Sequence, residues 1–353
     1  MPQVSRTRLM ARVGTAWWRR FEKRMHNTAT DVPGLENVDR VHWLRARDGA
    51  RLRVYEVDGA GATTDPGEAT NTESAAVTIV YAHGFTLSAQ SWCFQVEALR
   101  GEAQVARQLV PDLRGHAGSA GGDEATQTEV PLGVDLTAQD FVQMIRELAP
   151  EGPLVLAGHS LGVMTVLGAM RHMTDKERAR VRGIVMANGA VEPFAARGVT
   201  RILRFLPIRA MRAVGRNTPK FAEGIKGKVE WLVKPVIAAT VYYSSLEHGK
   251  SARYDVVDFH AREIENVPMR TILGYLEDLT DHDEAAILPF LRGVPGVIMA
   301  GHNDTVATPE QSRALAAHWT TAELREYDEA GHMLPVERPE DVNRALRQLA
   351  GGD

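Results

Sequence analysis

The chain has 353 residues, more than a typical single domain, and this length predicts one large domain with an insertion, or two domains. A charged fraction of 24% and the lack of any apolar run near the ~20 residues of a membrane span argue against an integral membrane protein. The net charge of -4 gives no case for nucleic-acid binding. The single cysteine, Cys93, excludes an intramolecular disulfide, fits a cytoplasmic location, and is expected to be a small buried side chain.

Residues 1–36 form a basic arm with a helical pattern. Its apolar side chains recur at every fourth position: Leu9, Val13, Trp17, Phe21 and Met25. We expect this arm to be a helix packed on the protein's own surface. Peripheral contact with an anionic membrane remains open, because basic residues greatly outnumber the acid Glu22 in the same stretch. A secretory signal is not expected, since no uninterrupted apolar segment follows the charged start.

A hairpin is predicted after the arm. The runs Val41–Arg47 and Arg51–Val57 flank Asp48-Gly49, a pair of residues that favours a tight turn between antiparallel strands. The stretch Gly59–Ser74 follows and has almost no apolar content. We expect it to be a mobile surface loop.

From Val77 onward, short apolar strands alternate with helices. The predicted strands are Val77–Tyr81, Val105–Val110, Leu154–Ala157, Ile184–Ala187, Val297–Ala300 and Leu324–Tyr327. The predicted helices are Ser88–Arg100, Leu136–Leu148, Leu161–Met173 and one that begins at Pro339. This alternation is typical of an α/β protein with a mostly parallel, doubly wound sheet, which we assign to residues 37–190 and 292–353.

Residues 191–291 interrupt the alternation and have a helix-rich pattern, so we expect an inserted helical cap. Its first half is basic between Arg197 and Lys228, with apolar residues interleaved. We expect the basic residues to lie on the solvated outer face of the cap, while its apolar side covers the active site. Contact of this segment with anionic lipid or with an acidic substrate group remains open.

Three residues that together could run nucleophilic catalysis follow predicted strands. Ser160 lies in Gly158-His159-Ser160-Leu161-Gly162, between a strand and a helix, where flanking glycines allow a sharp turn. Asp304 and His332 follow the two last predicted strands. Because ligands and reactive groups collect at the carboxyl ends of strands in an open parallel sheet, we expect these three side chains to meet.

The order serine, aspartate, histidine assigns a role to each residue. His332 would take the proton of Ser160 as it attacks a carbonyl carbon, and Asp304 would orient the imidazole and stabilise its charged form. The backbone N–H groups of Leu161 and Phe85 are the expected oxyanion donors. Near the end of the insertion, Asp281 and Asp283 are alternative acids and His282 an alternative base, all less favoured by their positions.

Several other polar residues lie in or beside these motifs. His83, Gly84 and His159 are assigned to substrate binding, although His159 is also expected to have a structural role, and His116 and His302 are further candidates for the pocket lining. Asp112 and Arg114 are expected to organise a loop, since a buried turn needs paired polar groups. No metal and no cofactor are expected, because neither metal-ligand spacing nor a dinucleotide fingerprint is present.

These motifs resemble the α/β-hydrolase superfamily, in its capped, lipase- and esterase-like branch. The matching segments are His83-Gly84-Phe85, Asp112-Leu113-Arg114-Gly115-His116, Gly158-His159-Ser160-Leu161-Gly162, Asp304, and Gly331-His332 with Glu337 and Pro339 behind it. The resemblance runs from about Val41 to the C-terminus and leaves the arm unexplained. One departure is Ala117, where the family usually has glycine; we expect Gly118 to supply the flexibility there.

The expected function is that of a cofactor-free serine hydrolase acting on a carboxylic ester with a hydrophobic acyl or alcohol group, through an acyl-enzyme. Its substrate would be a small-molecule or lipid ester. A thioesterase, an acyltransferase and a carbon-carbon bond hydrolase would use the same three residues and remain open. A non-enzymatic protein that binds a ligand in the cap cavity is the less favoured alternative. The serine argues against epoxide hydrolases and haloalkane dehalogenases, which resemble the chain but use an aspartate at this position.

Overall fold

The computed structural model of the protein describes residues 34–61, 75–121, 130–191 and 259–351, apart from 261 and 265. The described strands are β1 (Arg40–Arg45), β2 (Arg51–Asp58), β3 (Val77–Ala82), β4 (Val105–Pro111), β5 (Leu154–His159), β6 (Val181–Ala187), β7 (Gly296–Gly301) and β8 (Ala322–Tyr327). They form an eight-stranded sheet in the order β1-β2-β4-β3-β5-β6-β7-β8.

The sheet is antiparallel at one edge and parallel elsewhere. β1 pairs with β2 in the register Leu44 with Leu52, and β2 also runs antiparallel to β4. Gly49 in the connecting turn has a φ of 87°, a conformation that glycine adopts at no steric cost. The remaining neighbours in the sheet, β4 with β3, β3 with β5, β5 with β6, β6 with β7 and β7 with β8, are all parallel. The predicted hairpin and the mostly parallel sheet are both confirmed.

Helices lie between and after the parallel strands. The described helices are α1 (Cys93–Leu99), α2 (Val134–Leu148), α3 (Leu161–His172), α4 (Asp175–Arg178), α5 (Met269–Asp281), α6 (Pro309–His318), α7 (Leu334–Glu337) and α8 (Pro339–Ala350). Short 3-10 helices occur at Ala89–Trp92, Ala117–Ala120 and Ala285–Leu291. Cys93, at the first position of α1, is buried as predicted.

Alternate residues of the buried strands face two different helical layers. On β3, Val80 and Ala82 belong to a core cluster that also contains residues of α2 and α3, whereas Ile79 and Tyr81 belong to a cluster with residues of α1 and α8. All six residues of β3 and of β5 are buried. A strand covered on both faces reads as a continuous apolar run, which is why the sequence signals these strands so clearly.

Several sequence predictions fall outside the described residues. They are the helical form of the arm, most of the loop after β2, and the basic half of the predicted cap; the domain boundaries at 36, 190 and 291 also stay predictions. Of the segment between β6 and β7, the structure describes residues 259–291 almost completely, including α5. In the part of the chain that is described, no helix is long and apolar enough to cross a membrane.

Candidate active site

Ser160 lies on a strained turn between β5 and α3. Its backbone has φ 54° and ψ -116°, an unfavourable conformation for a residue with a Cβ atom. The flanking glycines are needed for close packing: a Cβ atom on Gly162 would lie 1.9 Å from the Ala82 carbonyl oxygen, and one on Gly158 would lie 2.6 Å from the Gly162 oxygen. The turn therefore holds the Ser160 hydroxyl at the carboxyl edge of the sheet, as predicted from the pentapeptide.

The three predicted side chains form one hydrogen-bonded chain. His332 Nε2 lies 3.0 Å from Ser160 Oγ, and His332 Nδ1 lies 2.7 Å from Asp304 Oδ2. The residues are 4%, 5% and 3% exposed for Ser160, His332 and Asp304 respectively. Because the carboxylate accepts the Nδ1 proton, the Nε2 lone pair is directed to the serine hydroxyl. This arrangement can remove a proton from Ser160 and stabilise the imidazolium that results.

Further donors fix the Asp304 carboxylate. Oδ1 accepts the N–H groups of Val306 at 2.7 Å and Ala307 at 3.0 Å. Oδ2 accepts a hydrogen bond of 2.7 Å from the amide of Asn188, which follows β6. The same amide donates to the Gly331 carbonyl at 3.1 Å, and Asn188 takes a φ of 49°. Asn188 thus ties the acid to the residue before His332.

The turn after β3 carries Phe85, one of the two candidate oxyanion donors, and Leu161 begins α3 directly after Ser160. Among the described residues, neither the Phe85 N–H nor the Leu161 N–H donates a hydrogen bond, which is compatible with the predicted role of both as oxyanion donors. Thr86, the next residue, has a φ of 62°, which is rare for a β-branched side chain. Its hydroxyl donates to the Phe85 carbonyl at 2.6 Å and so holds the peptide between Phe85 and Thr86.

Two buried imidazoles hold this turn. His83 donates from Nδ1 to the Gly84 carbonyl at 2.8 Å and accepts the Leu113 N–H at Nε2, 2.9 Å away. His116 donates from Nδ1 to the Arg114 carbonyl at 3.0 Å and accepts the Thr86 N–H at 3.3 Å. Burial lowers the pKa of His83 to about 4 and that of His116 to about 3, so both rings are neutral at neutral pH. Both nitrogens of each ring are therefore hydrogen-bonded to backbone groups.

His159, the residue before Ser160, contacts the loop that carries His332. Its Nε2 donates a 2.6 Å hydrogen bond to the His332 carbonyl, and burial lowers its pKa well below the usual range. Its Nδ1 has no partner among the described residues and crowds Gly84, where a Cβ atom would lie 2.8 Å from it. The assignment of His83, Gly84 and His159 to substrate binding stays a prediction; their observed contacts brace the turn and the loop.

Glu337 holds the backbone on both sides of His332. Its Oε2 accepts the Gly331 N–H at 2.6 Å and its Oε1 accepts the Met333 N–H at 2.8 Å. Burial raises the pKa of this carboxyl. In the sequence, Glu337 is part of a family motif and has no predicted role of its own. Its spacing of five residues from His332, across a short helix, is the signal from which the clamp could have been inferred.

The predicted role of Asp112 and Arg114 as loop organisers is confirmed. Asp112 accepts the N–H groups of Ala89 and Gly118 at 3.0 Å each, and Arg114 Nε lies 2.7 Å from Asp140 Oδ2. The prediction for Gly118 is wrong, because Ala117 itself adopts the left-handed conformation with a φ of 41°. A Cβ atom on Gly118 would lie 2.2 Å from the Arg53 side chain, so a larger residue there would displace that side chain.

The alternative base His282 and the alternative acid Asp283 have surroundings unlike those of the Ser160–His332–Asp304 chain. His282 Nε2 pairs with Glu284 at 2.7 Å, and Asp283 is exposed. His302, a candidate for the pocket lining, has an exposed side chain whose Nδ1 pairs with Asp328 at 2.6 Å, and its role in the pocket stays a prediction. Within the described ranges, no group of three or more potential metal ligands is present.

Comparison with known proteins identifies the family. A family model for the alpha/beta hydrolase family matches residues 79–345. The chain belongs to the alpha/beta hydrolase family. Together with structural neighbours that are esterases, this match supports a hydrolase enzyme. No curated protein matches the chain.

Solved structures share the fold at low sequence identity. A thermophilic esterase from Thermogutta terrifontis is 21% identical with a TM-score of 0.61, over 88% of this chain and 97% of that one. An esterase from Exiguobacterium antarcticum is 16% identical with a TM-score of 0.64, over 88% and 99%. A bromoperoxidase from Bacillus anthracis is 17% identical with a TM-score of 0.61, over 88% and 99%. Structural similarity at this low sequence identity shows the fold alone, because these neighbours include proteins named for different activities.

Proposed function

We propose that this alpha/beta hydrolase cleaves carboxylic esters through an acyl-enzyme formed on Ser160. The observation that carries the proposal is the hydrogen-bonded chain from Ser160 through His332 to Asp304, mounted on a strained strand-to-helix turn. A serine hydroxyl is a weak nucleophile, and a positioned imidazole with a carboxylate behind it is the usual means of activating it. The esterases among the structural neighbours favour an ester as the substrate.

In the proposed reaction, Ser160 Oγ attacks the ester carbonyl carbon while His332 Nε2 takes the hydroxyl proton. The oxyanion is stabilised by the N–H groups of Phe85 and Leu161. His332 then passes its proton to the departing alcohol oxygen, which leaves an acyl group on Ser160. Water, deprotonated by His332, attacks the acyl carbon, and the acid is released with the serine restored.

The proposed substrate is a small-molecule or lipid ester with a hydrophobic acyl or alcohol group. A thioester, an alcohol acceptor in place of water, or an activated carbon-carbon bond would engage the same three residues. A cytoplasmic location, with peripheral membrane contact through the arm or the basic part of the predicted cap, completes the proposal and rests on composition and charge alone.

The test combines substrate turnover with a covalent probe. We expect wild type to hydrolyse a graded series of acyl esters, and Ser160→Ala to lose at least about 10³-fold in kcat. A fluorophosphonate probe should label wild type at Ser160 and leave Ser160→Ala unlabelled. Ser91→Ala, at a buried serine on the 3-10 helix Ala89–Trp92, is the matched control and should keep both ester turnover and probe labelling at Ser160.

Ester turnover that survives Ser160→Ala would refute the mechanism. Probe labelling without turnover of any ester would point to another scissile bond or acceptor.

A further inference from the structure

Asn188, the first residue after β6, lies where the three parts of the candidate catalytic machinery meet. Its side-chain amide donates to Asp304 Oδ2 at 2.7 Å and to the Gly331 carbonyl oxygen at 3.1 Å. The carbonyl oxygen of Ala187, in the peptide bond that precedes Asn188, accepts the Ser160 N–H at 3.1 Å. The acid, the histidine loop and the nucleophile turn are therefore all hydrogen-bonded at one fully buried residue.

The conformation of Asn188 is unfavourable in two respects. Its backbone has a φ of 49°, in the left-handed region that residues with a Cβ atom adopt rarely. Its side-chain oxygen Oδ1 is buried without a hydrogen-bond partner among the described residues, while both protons on Nδ2 are used. Backbone strain and unpaired buried polar atoms concentrate at functional sites, so these two features indicate a function for this side chain.

The two oxygens of the Asp304 carboxylate have different partners. Oδ1 accepts the backbone N–H groups of Val306 and Ala307. Oδ2 accepts the Nδ1 proton of His332, and in the described part of the chain the Asn188 amide is its second donor. A hydrogen bond to an ionised acceptor is short and directional. The Asn188 amide therefore fixes the position of the oxygen that orients the imidazole.

We propose that Asn188 is a positioning residue of the proposed reaction, and that it fixes the base His332 through the acid Asp304. Its second hydrogen bond, to Gly331, fixes the loop that carries the imidazole. Together the two bonds keep the imidazole in line with the serine hydroxyl before an ester binds. The amide acts on the base and not on the bound ester, so its effect belongs to kcat rather than to KM. This inference rests on the proposed function and deepens it.

Two substitutions in the full-length protein separate the amide from the backbone conformation. Asn188→Gly removes the amide, and glycine adopts the left-handed conformation without strain. For this variant we expect kcat for the best-hydrolysed ester of the acyl series to fall about 10–100-fold with KM within about threefold, because small misplacements of a catalytic group are costly. Asn188→Asp keeps the size of the side chain but replaces the donor by a carboxylate against Asp304, so its loss in kcat should be at least as large.

A proton resonance distinguishes positioning from lost packing. The proton between His332 Nδ1 and Asp304 Oδ2 lies in a hydrogen bond of 2.7 Å to an ionised acceptor, and protons in such bonds resonate far downfield in NMR spectra. The Asn188 amide competes for the same oxygen. In Asn188→Gly this resonance should therefore move further downfield, because Oδ2 has one donor fewer.

Asn343→Ala is the matched control. Asn343 lies on α8, is 2% exposed and, like Asn188, has a buried Oδ1 atom without a partner among the described residues. It takes no part in the hydrogen bonds of the candidate active site described above. We expect this variant to have a lower thermal midpoint, a kcat within about twofold of wild type and an unchanged downfield resonance, because only a structural amide is lost.

Each of the following results overturns the inference. A kcat for Asn188→Gly within threefold of wild type would show that the amide does not position the base. A loss confined to KM would assign the amide to substrate binding. A resonance that does not move downfield, or an equal loss of kcat in Asn343→Ala, would assign the effect to general destabilisation. Should Asn188→Gly not fold, Asn188→Asp decides by its kcat in the same way.

The proposed function has a separate outcome in the same experiment. Failure of wild type to hydrolyse any ester of the series would overturn the proposed function together with this inference. Ester turnover by wild type with a fully active Asn188→Gly would overturn this inference alone.

Discussion

The turn at residues 83–87 and the loop at residues 330–337 both carry candidate catalytic groups, and they are held by different chemistry. In the turn, neutral imidazoles of His83 and His116 accept backbone N–H groups and donate to carbonyls. In the loop, the single carboxylate of Glu337 accepts the N–H groups on either side of His332. The backbone N–H groups that these side chains bind lie outside helices and strands.

The difference teaches how an irregular backbone can be made rigid in a buried place. Buried N–H groups outside helices and strands need side-chain acceptors, and either a neutral imidazole or a carboxylate can serve. The imidazole satisfies one donor and one acceptor, so it ties two separate loops together. The carboxylate satisfies two donors and suits a loop that bends around a single residue. The two devices should therefore differ in their response to substitution and to pH.

The largest effect is expected for Glu337→Gln. An amide offers only one acceptor oxygen, and its NH₂ group would face an N–H of Gly331 or Met333. We expect His332 to shift and kcat/KM for the best ester to fall about 100-fold, mainly in kcat, because small misplacements of catalytic groups are costly. Fluorophosphonate labelling should slow in parallel, which a purely structural role at a distance would not cause.

The control for this substitution is Glu323→Gln on β8, an exposed carboxylate that pairs with Arg325 at 2.7 Å. It should retain activity within about twofold. Circular dichroism and the thermal midpoint establish that Glu337→Gln is folded. A value of kcat/KM within threefold of wild type would mean that the clamp does not position His332.

A smaller effect is expected for His116→Leu in the turn. The change leaves the Thr86 N–H and the Arg114 carbonyl without their partners. We expect a loss of about 1–3 kcal/mol in the free energy of unfolding and about tenfold in kcat/KM, because the oxyanion donor Phe85 is loosened but still present. Urea unfolding and steady-state kinetics measure the two quantities. His318→Leu at an exposed site serves as control, and a variant as active as wild type would separate His116 from the oxyanion site.

The smallest effect, and the sharpest contrast between the two loops, is in the pH dependence of stability. His116 has a pKa of about 3 in the folded protein and about 6.5 when unfolded, so its contribution is complete above pH 6.5 and is lost as the pH falls toward 3. Burial raises the pKa of Glu337, so its contribution has the opposite sign: it is complete below the unfolded pKa and is lost as the pH rises.

Removing the His116 imidazole and removing the Glu337 carboxyl should therefore change the slope of the unfolding free energy against pH in opposite directions. Between pH 4.5 and 6, the free energy of unfolding of His116→Leu should rise with pH less steeply than that of wild type, by at most about 1.4 kcal/mol per pH unit. The free energy of unfolding of Glu337→Gln should rise with pH more steeply than that of wild type. Urea denaturation at several pH values in this window measures both slopes. Slopes that change in the same direction would contradict the assigned ionisation states.

Much of the fold could be predicted because its central strands are buried on both faces. Continuous apolar runs and the Asp48-Gly49 turn located the strands and the hairpin to within a few residues. The three side chains of the triad could be placed together because each follows a strand of one parallel sheet. Helix α6 was not predicted, since its polar composition gives only a weak apolar stripe between β7 and β8.

The groups that brace the site could not be predicted in the same way. Asn188 and Glu337 act on backbone atoms or on a neighbour's carboxylate, and such hydrogen bonds leave no periodic pattern in a sequence. His260 contacts the Thr86 hydroxyl but lies more than 70 residues after β6 and more than 170 after Thr86, so nothing in the local sequence connects it with Thr86. Ala117 shows that even a clear turn motif does not say which residue takes the strained conformation.

The thiol of Cys93 can report on motion beside the candidate active site. Cys93 packs in the same buried cluster as Phe259 and Met333, and burial raises the pKa of its thiol. An alkylating reagent can reach it only when this cluster opens, and no other cysteine competes for the reagent. The rate of alkylation therefore measures how often the cluster of Cys93, Phe259 and Met333 opens.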